Sequence, residues 1–435
     1  MSSTILSNIT PTTASNSSRF SCKLSWIVLL IGITSLLVSG YGLYSGLATA
    51  YSRYLISWLI GFSFWFAVVI GMLFLVMISY IFGAKWSIVL RRQLEHGIGA
   101  FPYLFLIFLP LALIPWFYAE DPGILWKWMN PNKVIPGDQT VGSDVLYQHK
   151  ASYLNLSFFT LRVVGFFACW TFLASRFRKY SFQMDKDPQE KWASLPVKWA
   201  AAGLPLVAIT MTLAAIDWFK SLDYHWFSTM YGIWYFALSV RLAVAVTILL
   251  CAWQVSRGSL KGIYNSAHQY DLCCLLLAFT IFWAYISFSQ YFLIYNANIP
   301  EETFWYNIRE LNASQDGKNS WWWVSMALIF GNFLIPFLAL LSFKLKVTKG
   351  AVFVSVWVLI FTLSDIYFNI SPGMVADDSA PMGFIIKPFK ITIYDITSII
   401  GVGSIVFFAY LRSFEKQKII PIHDPRIDKS INRHL

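Results

Sequence analysis

The chain is poor in charge. Only 13% of its 435 residues are Asp, Glu, Lys or Arg, where soluble domains carry roughly 25%. With 57% hydrophobic residues, the composition excludes an ordinary soluble domain and describes an integral membrane protein. Cysteine is scarce as well. Cys22, Cys169, Cys251, Cys273 and Cys274 form no CxxC, no CxxCH and no cluster, which argues against an iron–sulfur site or covalent haem in this chain. His96, His149, His225, His268, His423 and His434 fall in loops, tails or helix ends, so no bis-histidine haem is expected. Acid is in deficit, giving a net charge of +11. The basic residues lie mostly in loops and the C-terminal tail, which speaks of membrane topology and not of nucleic acid.

A membrane-crossing helix needs about 20 apolar residues. Segments 24–48, 57–82, 101–118, 154–176, 197–218, 230–253, 272–297, 320–343, 350–370 and 393–412 meet that length, within a few residues. They predict an all-α polytopic membrane protein of ten spans. A disordered tail is expected over 1–23 and a basic tail over 413–435, with the transmembrane domain between. The N-tail, the loops after spans 2, 4, 6 and 8, and the C-tail hold more than twice as many Lys and Arg as the opposite loops. By the positive-inside rule both termini are cytoplasmic. The opposite loops are aromatic and acidic, as in 119–131, 217–229, 298–306 and 371–383. Tryptophan and tyrosine near helix ends read as an interfacial belt, and the loop lengths suit docking of partners.

Span 7 carries an oddity. Asp271, Tyr285, Ser289 and Asn296 fall on one helical stripe. Polar groups in a membrane usually face a bundle interior, a cavity or an ion route, although hydrogen bonds to neighbouring helices would also explain them. His268 and Asp271 mark one end of the stripe, and Asn296 with Glu301 and Glu302 mark the other. Arg241 stands near the middle of span 6, where a charge costs roughly 2.5–3.5 kcal/mol on insertion scales, and calls for a carboxylate, a polar ligand or a hydrated cavity. Arg162 lies shallower and can snorkel. Asp217 closes span 5. Asp395 and Asp271 open their spans, where the helix dipole favours an acid, while Asp365 has no such excuse. Acids near both faces with Arg, Tyr, Ser and Asn between are what two proton half-channels need.

Four segments carry a resemblance: KWSIVLRRQLEH (85–96), YLNLSFFTLR (153–162), DWFKSLDYHWFSTMYG (217–232) and HQYDLCCLLLAFTIFWAYISFSQYFLIYNANIPEET (268–303). With the ten-span layout, the chain resembles the NrfD/PsrC-like membrane subunits of respiratory oxidoreductases, most of all the second such subunit of Alternative Complex III. Tyr224 departs from that pattern, which has proline there. The resemblance implies two four-helix bundles plus two peripheral helices in a bacterial inner membrane. It implies a subunit without cofactors of its own, although such subunits are often described as quinone-binding. Its implied partners are a sister NrfD-like quinol-binding subunit, a multihaem cytochrome c, an iron–sulfur subunit, other small membrane subunits, the lipid bilayer and a terminal oxidase. Arg162, Asp217, Asp223, His225, His268, Asp271, Ser289, Gln290 and Asn296 stand in the matching segments.

The leading expectation is a proton pathway coupled to quinol oxidation, with this chain not catalytic alone. The nearest rival is quinol binding by Asp217, Asp223 and His225. A secondary transporter is the rival from another class, yet no matched pair of mid-span Gly or Pro breaks appears in the two halves. A structural scaffold is the plainest alternative.

Overall fold

The computed structural model describes residues 11–49, 51–135, 139–312, 317–376 and 384–435. The helices long and apolar enough to cross a membrane number 10 among the described residues. Spans 1 to 5 are Lys23–Ala48, Arg53–Ile81, Ile88–Phe117, Leu156–Met184 and Lys191–Asp223. Spans 6 to 10 are Tyr231–Ser256, Ser266–Ala297, Ser320–Leu341, Gly350–Ile370 and Ile393–Lys416. The chain is thus an all-α polytopic membrane protein. Strands are confined to two antiparallel hairpins among the described residues, Val134–Ile135 with Gln139–Thr140 and Met374–Ala376 with Phe384–Ile386. The helix of span 1 starts at Pro11 and so takes in part of the expected tail, while residues 1–10 lie outside the described residues.

Local sequence sets several helix starts. The side chains of Asn155, Asn265 and Asn319 cap spans 4, 7 and 8 by accepting backbone N–H bonds, and Thr392 with Asp395 forms a capping box on span 10. Span 3 differs from expectation. It begins at Ile88 and not near residue 101, because a run of charged residues is paired inside the protein and continues the helix. Span 8 contains a π-helical segment, Leu328–Leu334, just before Pro336. Proline lacks the N–H that would bond to the carbonyl of Asn332 four residues earlier, which loosens the ladder there.

Spans 2 to 5 pack as one ring of four helices and spans 6 to 9 as a second, while spans 1 and 10 pair with each other on the side of span 2. The two rings meet where span 2 crosses span 6. Gly71 permits that approach, since a Cβ there would lie 2.1 Å from the carbonyl oxygen of Ser239. Inside the first ring, Phe62, Phe66, Phe108, Phe167, Trp170 and Trp218 form an aromatic core, with Phe108 and Trp218 centred 4.5 Å apart. The interfacial belt is therefore only part of the tryptophan story. Trp26, Trp116 and Trp323 are exposed, but Trp126, Trp128, Trp170, Trp218, Trp226 and Trp321 are fully buried.

The basic tail is docked. Its short helix, Ile427–Ile431, lies against the start of span 3, with Ser430 Oγ donating to the Trp86 carbonyl at 3.1 Å. Asn265 Nδ2 donates to the Arg433 carbonyl at 2.8 Å, which ties the tail to the start of span 7. The loops after spans 2 and 6 thus share one face of the protein with the C-tail.

Candidate functional site

The largest buried ionic cluster sits beneath the C-tail, in the helix turn IVLRRQLEHG that opens span 3. Arg91, Arg92, Gln93, Glu95 and His96 are each no more than 1% exposed. Arg91 bonds Glu95 at 3.1 Å and Asp424 of the tail at 2.8 Å. Arg92 bonds Asp185 at 2.7 Å and faces Glu95 at 3.5 Å. Tyr80 and Ser181 hydroxyls also donate to Glu95, at 3.1 and 2.5 Å. Gln93 bonds Gln254 at 3.1 Å and Tyr410 at 2.5 Å, and His96 Nδ1 meets Ser413 Oγ at 2.8 Å. Several buried polar atoms here lack a protein partner, among them Arg91 Nη1, Arg92 Nη1, His96 Nε2 and Asp185 Oδ1. Buried polar groups without protein partners are where ordered water resides. These residues were read in the sequence only as a basic loop and a family motif. Their signal was five polar residues among the six from Arg91 to His96, at the head of an apolar span.

The second cluster lies deeper in spans 6 to 9. Arg241 is fully buried, and its partner is not a carboxylate. Arg241 Nη1 donates to Asn332 Oδ1 at 2.8 Å and Nη2 to the Asn332 carbonyl at 2.6 Å, the carbonyl that Pro336 leaves without its usual helical donor. The guanidinium also lies 5.4 Å from the ring centre of Trp283. Trp283 Nε1 donates to Asp365 Oδ2 at 2.8 Å, and Trp234 Nε1 adds a bond to the same oxygen at 3.1 Å. Asn369 Nδ2 donates to Asp365 Oδ1 at 3.1 Å. Tryptophan thus links a buried cation to a buried acid that it does not touch.

Asp365 also forms part of the wall of a groove of about 680 Å³ between spans 7, 8 and 9, with Tyr285, Phe288, Met326 and Phe333 on its apolar sides. Glu310, from the helix Pro300–Glu310, lines the same groove and accepts a bond from Tyr295 at 3.1 Å. Burial pushes the Glu310 carboxyl above the usual range, against the opposing bond from Tyr295.

The other candidates are locked in pairs. Arg162 grips Asp217 with two bonds, 2.6 and 3.2 Å, and its guanidinium lies 3.9 Å from the Tyr153 ring and 4.4 Å from Phe158. Asp395 holds Arg53 at 2.7 Å while closing the capping box with Thr392. Asp144 accepts bonds from Tyr224 and His225 and caps the short helix Val145–Lys150. Burial would raise the Asp144 carboxyl, but these bonds outweigh it and lower it. Asp223 stands apart, at the wall of a separate cavity. The trio Asp217, Asp223 and His225 therefore does not converge on one pocket.

The span 7 stripe needs a correction. Its expected inward face is the outward one. Tyr285 is 63% exposed, Asn296 is exposed and Ser289 is half-buried. Asp271 pairs at the surface with Arg433 of the tail, at 2.6 and 2.9 Å, and His268 completes the cap with Asn265 and meets Ser430 Oγ at 3.3 Å. The buried face holds Leu276, Thr280, Trp283, Gln290 and Ile294 instead. Polar periodicity identified a helical stripe, but the larger apolar and aromatic surface of the opposite side decided which face was buried. Of the stripe, Tyr285 lines the groove.

No family model and no curated protein matches the chain. Fold and site together define a multi-pass membrane protein with buried ionisable groups, among them one cluster beneath its C-tail and one within spans 6 to 9.

Proposed function

We propose that the chain is an integral membrane subunit of a respiratory quinol:electron-acceptor oxidoreductase of the Alternative Complex III type, contributing a proton pathway. Its setting would be a bacterial inner membrane with both termini cytoplasmic. Haem c and iron–sulfur clusters would belong to partner subunits. The observation that carries the reading is the placement of two buried ionisable clusters at different depths, Arg91–Glu95–Arg92 beneath the tail and Arg241–Trp283–Asp365 beyond it. Such groups can hold ordered water and exchange protons where bulk water is excluded. Along span 6 the helix rises about 20 Å from Arg241 to Gln254 through mostly apolar residues, so transfer would require transient hydration of that layer.

Two measurements test this. A tagged chain extracted from native membranes in mild detergent is expected to bring c-type haem absorbance with it. Extraction alone, without haem or iron–sulfur partners, refutes the complex. In the assembled complex, Asp365→Asn is expected to slow quinol turnover and proton release together. Normal values for both would make Asp365 structural.

The groove favours a second reading, quinol binding by this chain. Aromatic and aliphatic walls suit a quinone ring and tail, and Asp365 and Glu310 would meet its polar oxygens. The groove replaces Asp217, Asp223 and His225 as the place to look. A photoreactive quinone analogue should label span 7 or span 8 residues around Tyr285 and Met326. Labelling elsewhere would count against it.

A further inference from the structure

On the face opposite the C-tail, a cavity of about 160 Å³ opens where both helix rings meet. It takes part of its wall from Lys127, Lys133, Lys220, Arg309 and Lys387, and Asp223 is its one acidic lining residue. Lys133 is paired with Asp121 at 2.5 Å. For the other four cations no carboxylate stands within salt-bridge reach among the described residues. Arg309 is only 2% exposed. Three of its N–H groups donate to the carbonyls of Phe368, Trp305 and Asn369, and its guanidinium stacks 3.4 Å from the Trp305 ring centre. The cation is thus fixed in place by neutral groups, with N–H capacity left over. Lys387 donates to Ser52 Oγ at 3.4 Å. Burial lowers the Lys387 ammonium, and the nearby charges of Lys127, Arg53 and Lys133 add to the effect. Burial also pushes Arg309 down to about 9, against the attraction of Asp223.

Like charges held around a partly dehydrated cavity repel, and the cost falls when a counter-anion enters. Guanidinium and ammonium donors converging on a small space are the usual recognition set for phosphate oxygens. We propose that this cavity binds a small anion of phosphate chemistry, either free or as the head group of an anionic lipid. It adjoins the groove at Asp365, sharing Trp305 and Asn369 as wall, and does not depend on the respiratory reading.

The test uses the full chain, purified in a non-ionic detergent without phosphate, with sodium chloride matched for ionic strength. Inorganic phosphate is titrated while the thermal midpoint is followed, and the chain in phosphatidylcholine nanodiscs doped with phosphatidylglycerol is analysed by native mass spectrometry. Saturable stabilisation by phosphate identifies a free anion. Retained phosphatidylglycerol without a phosphate response identifies a lipid head. In either case Lys220→Gln with Lys387→Gln should weaken binding at least tenfold, and Lys261→Gln, exposed and near the opposite face, should not. Asp223→Asn removes the opposing charge and should tighten binding, a gain that misfolding cannot mimic. The proposal is overturned if neither anion binds or if the lysine variants bind like the parent.

Discussion

Asp217→Asn separates an ion-pair lock from a proton carrier. Asp217 is fully buried and receives two bonds from Arg162, so the substitution leaves a guanidinium without its counter-charge. Removing one member of a buried pair costs about 3–5 kcal/mol. Two features soften the loss here. Asparagine still accepts one N–H, and the Tyr153 and Phe158 rings, at 3.9 and 4.4 Å, remain against the cation. Allowing about 0.5–1 kcal/mol for each of the two ring contacts gives an expected cost of about 1–4 kcal/mol. Arg162→Met combined with Asp217→Leu removes both charges and should return to within about 1 kcal/mol of the parent, since apolar replacement of a buried pair is often neutral. The assay is equilibrium unfolding of the full chain in mixed micelles, read as a double-mutant cycle. If Asp217→Asn costs less than about 0.5 kcal/mol, or the double variant is as unstable as the two losses added, the lock is wrong. In the proposed respiratory complex, turnover would add an independent readout. A stable double variant with normal turnover excludes Asp217 as a proton carrier.

Other outcomes follow from the same physics. Gly71→Ala would push span 2 off span 6 at a 2.1 Å approach to the Ser239 carbonyl, and should cost about 1–3 kcal/mol in a thermal or denaturant melt. Burial alone would raise Asp424, but Arg91 and Arg426 outweigh it and hold its carboxyl down to about 2. A depressed carboxyl stabilises docking above its unfolded value, about 3.9, and that share is lost as pH falls through the folded one. Pepsin should therefore spare the C-tail near pH 5 and release it progressively between about pH 4 and 2. Protection that is constant across that range would remove Asp424 as the anchor. Asn332→Leu strips Arg241 of its side-chain acceptor while leaving the carbonyl bond, and should destabilise the chain by about 1–3 kcal/mol. An unchanged unfolding midpoint would mean that Arg241 is held elsewhere.

Composition and hydropathy decided the class of this protein and the places of its ten spans, because a membrane helix must be long, apolar and internally hydrogen-bonded. Caps such as Asn155, Asn265 and Thr392 were local enough to fix helix starts. Arg241 and Asp365 stood out in the sequence because charge at depth needs compensation, and both proved buried. What compensates them was not legible. Asn332, freed by Pro336 in span 8, and Trp283 of span 7 come from distant positions that only packing unites. The same holds for Arg162 with Asp217, Arg53 with Asp395 and Arg91 with Asp424, whose partners lie far along the chain. The orientation of span 7 was also beyond its own pattern. A helix wheel shows that Asp271, Tyr285, Ser289 and Asn296 share a face, but which face is buried depends on the area that neighbouring helices cover. Sequence alone thus determined where the apolar spans lie, save for the start of span 3, and which residues within them are costly. Tertiary structure alone decided which of those costs are met by ion pairs, which by neutral acceptors, and which are left to water.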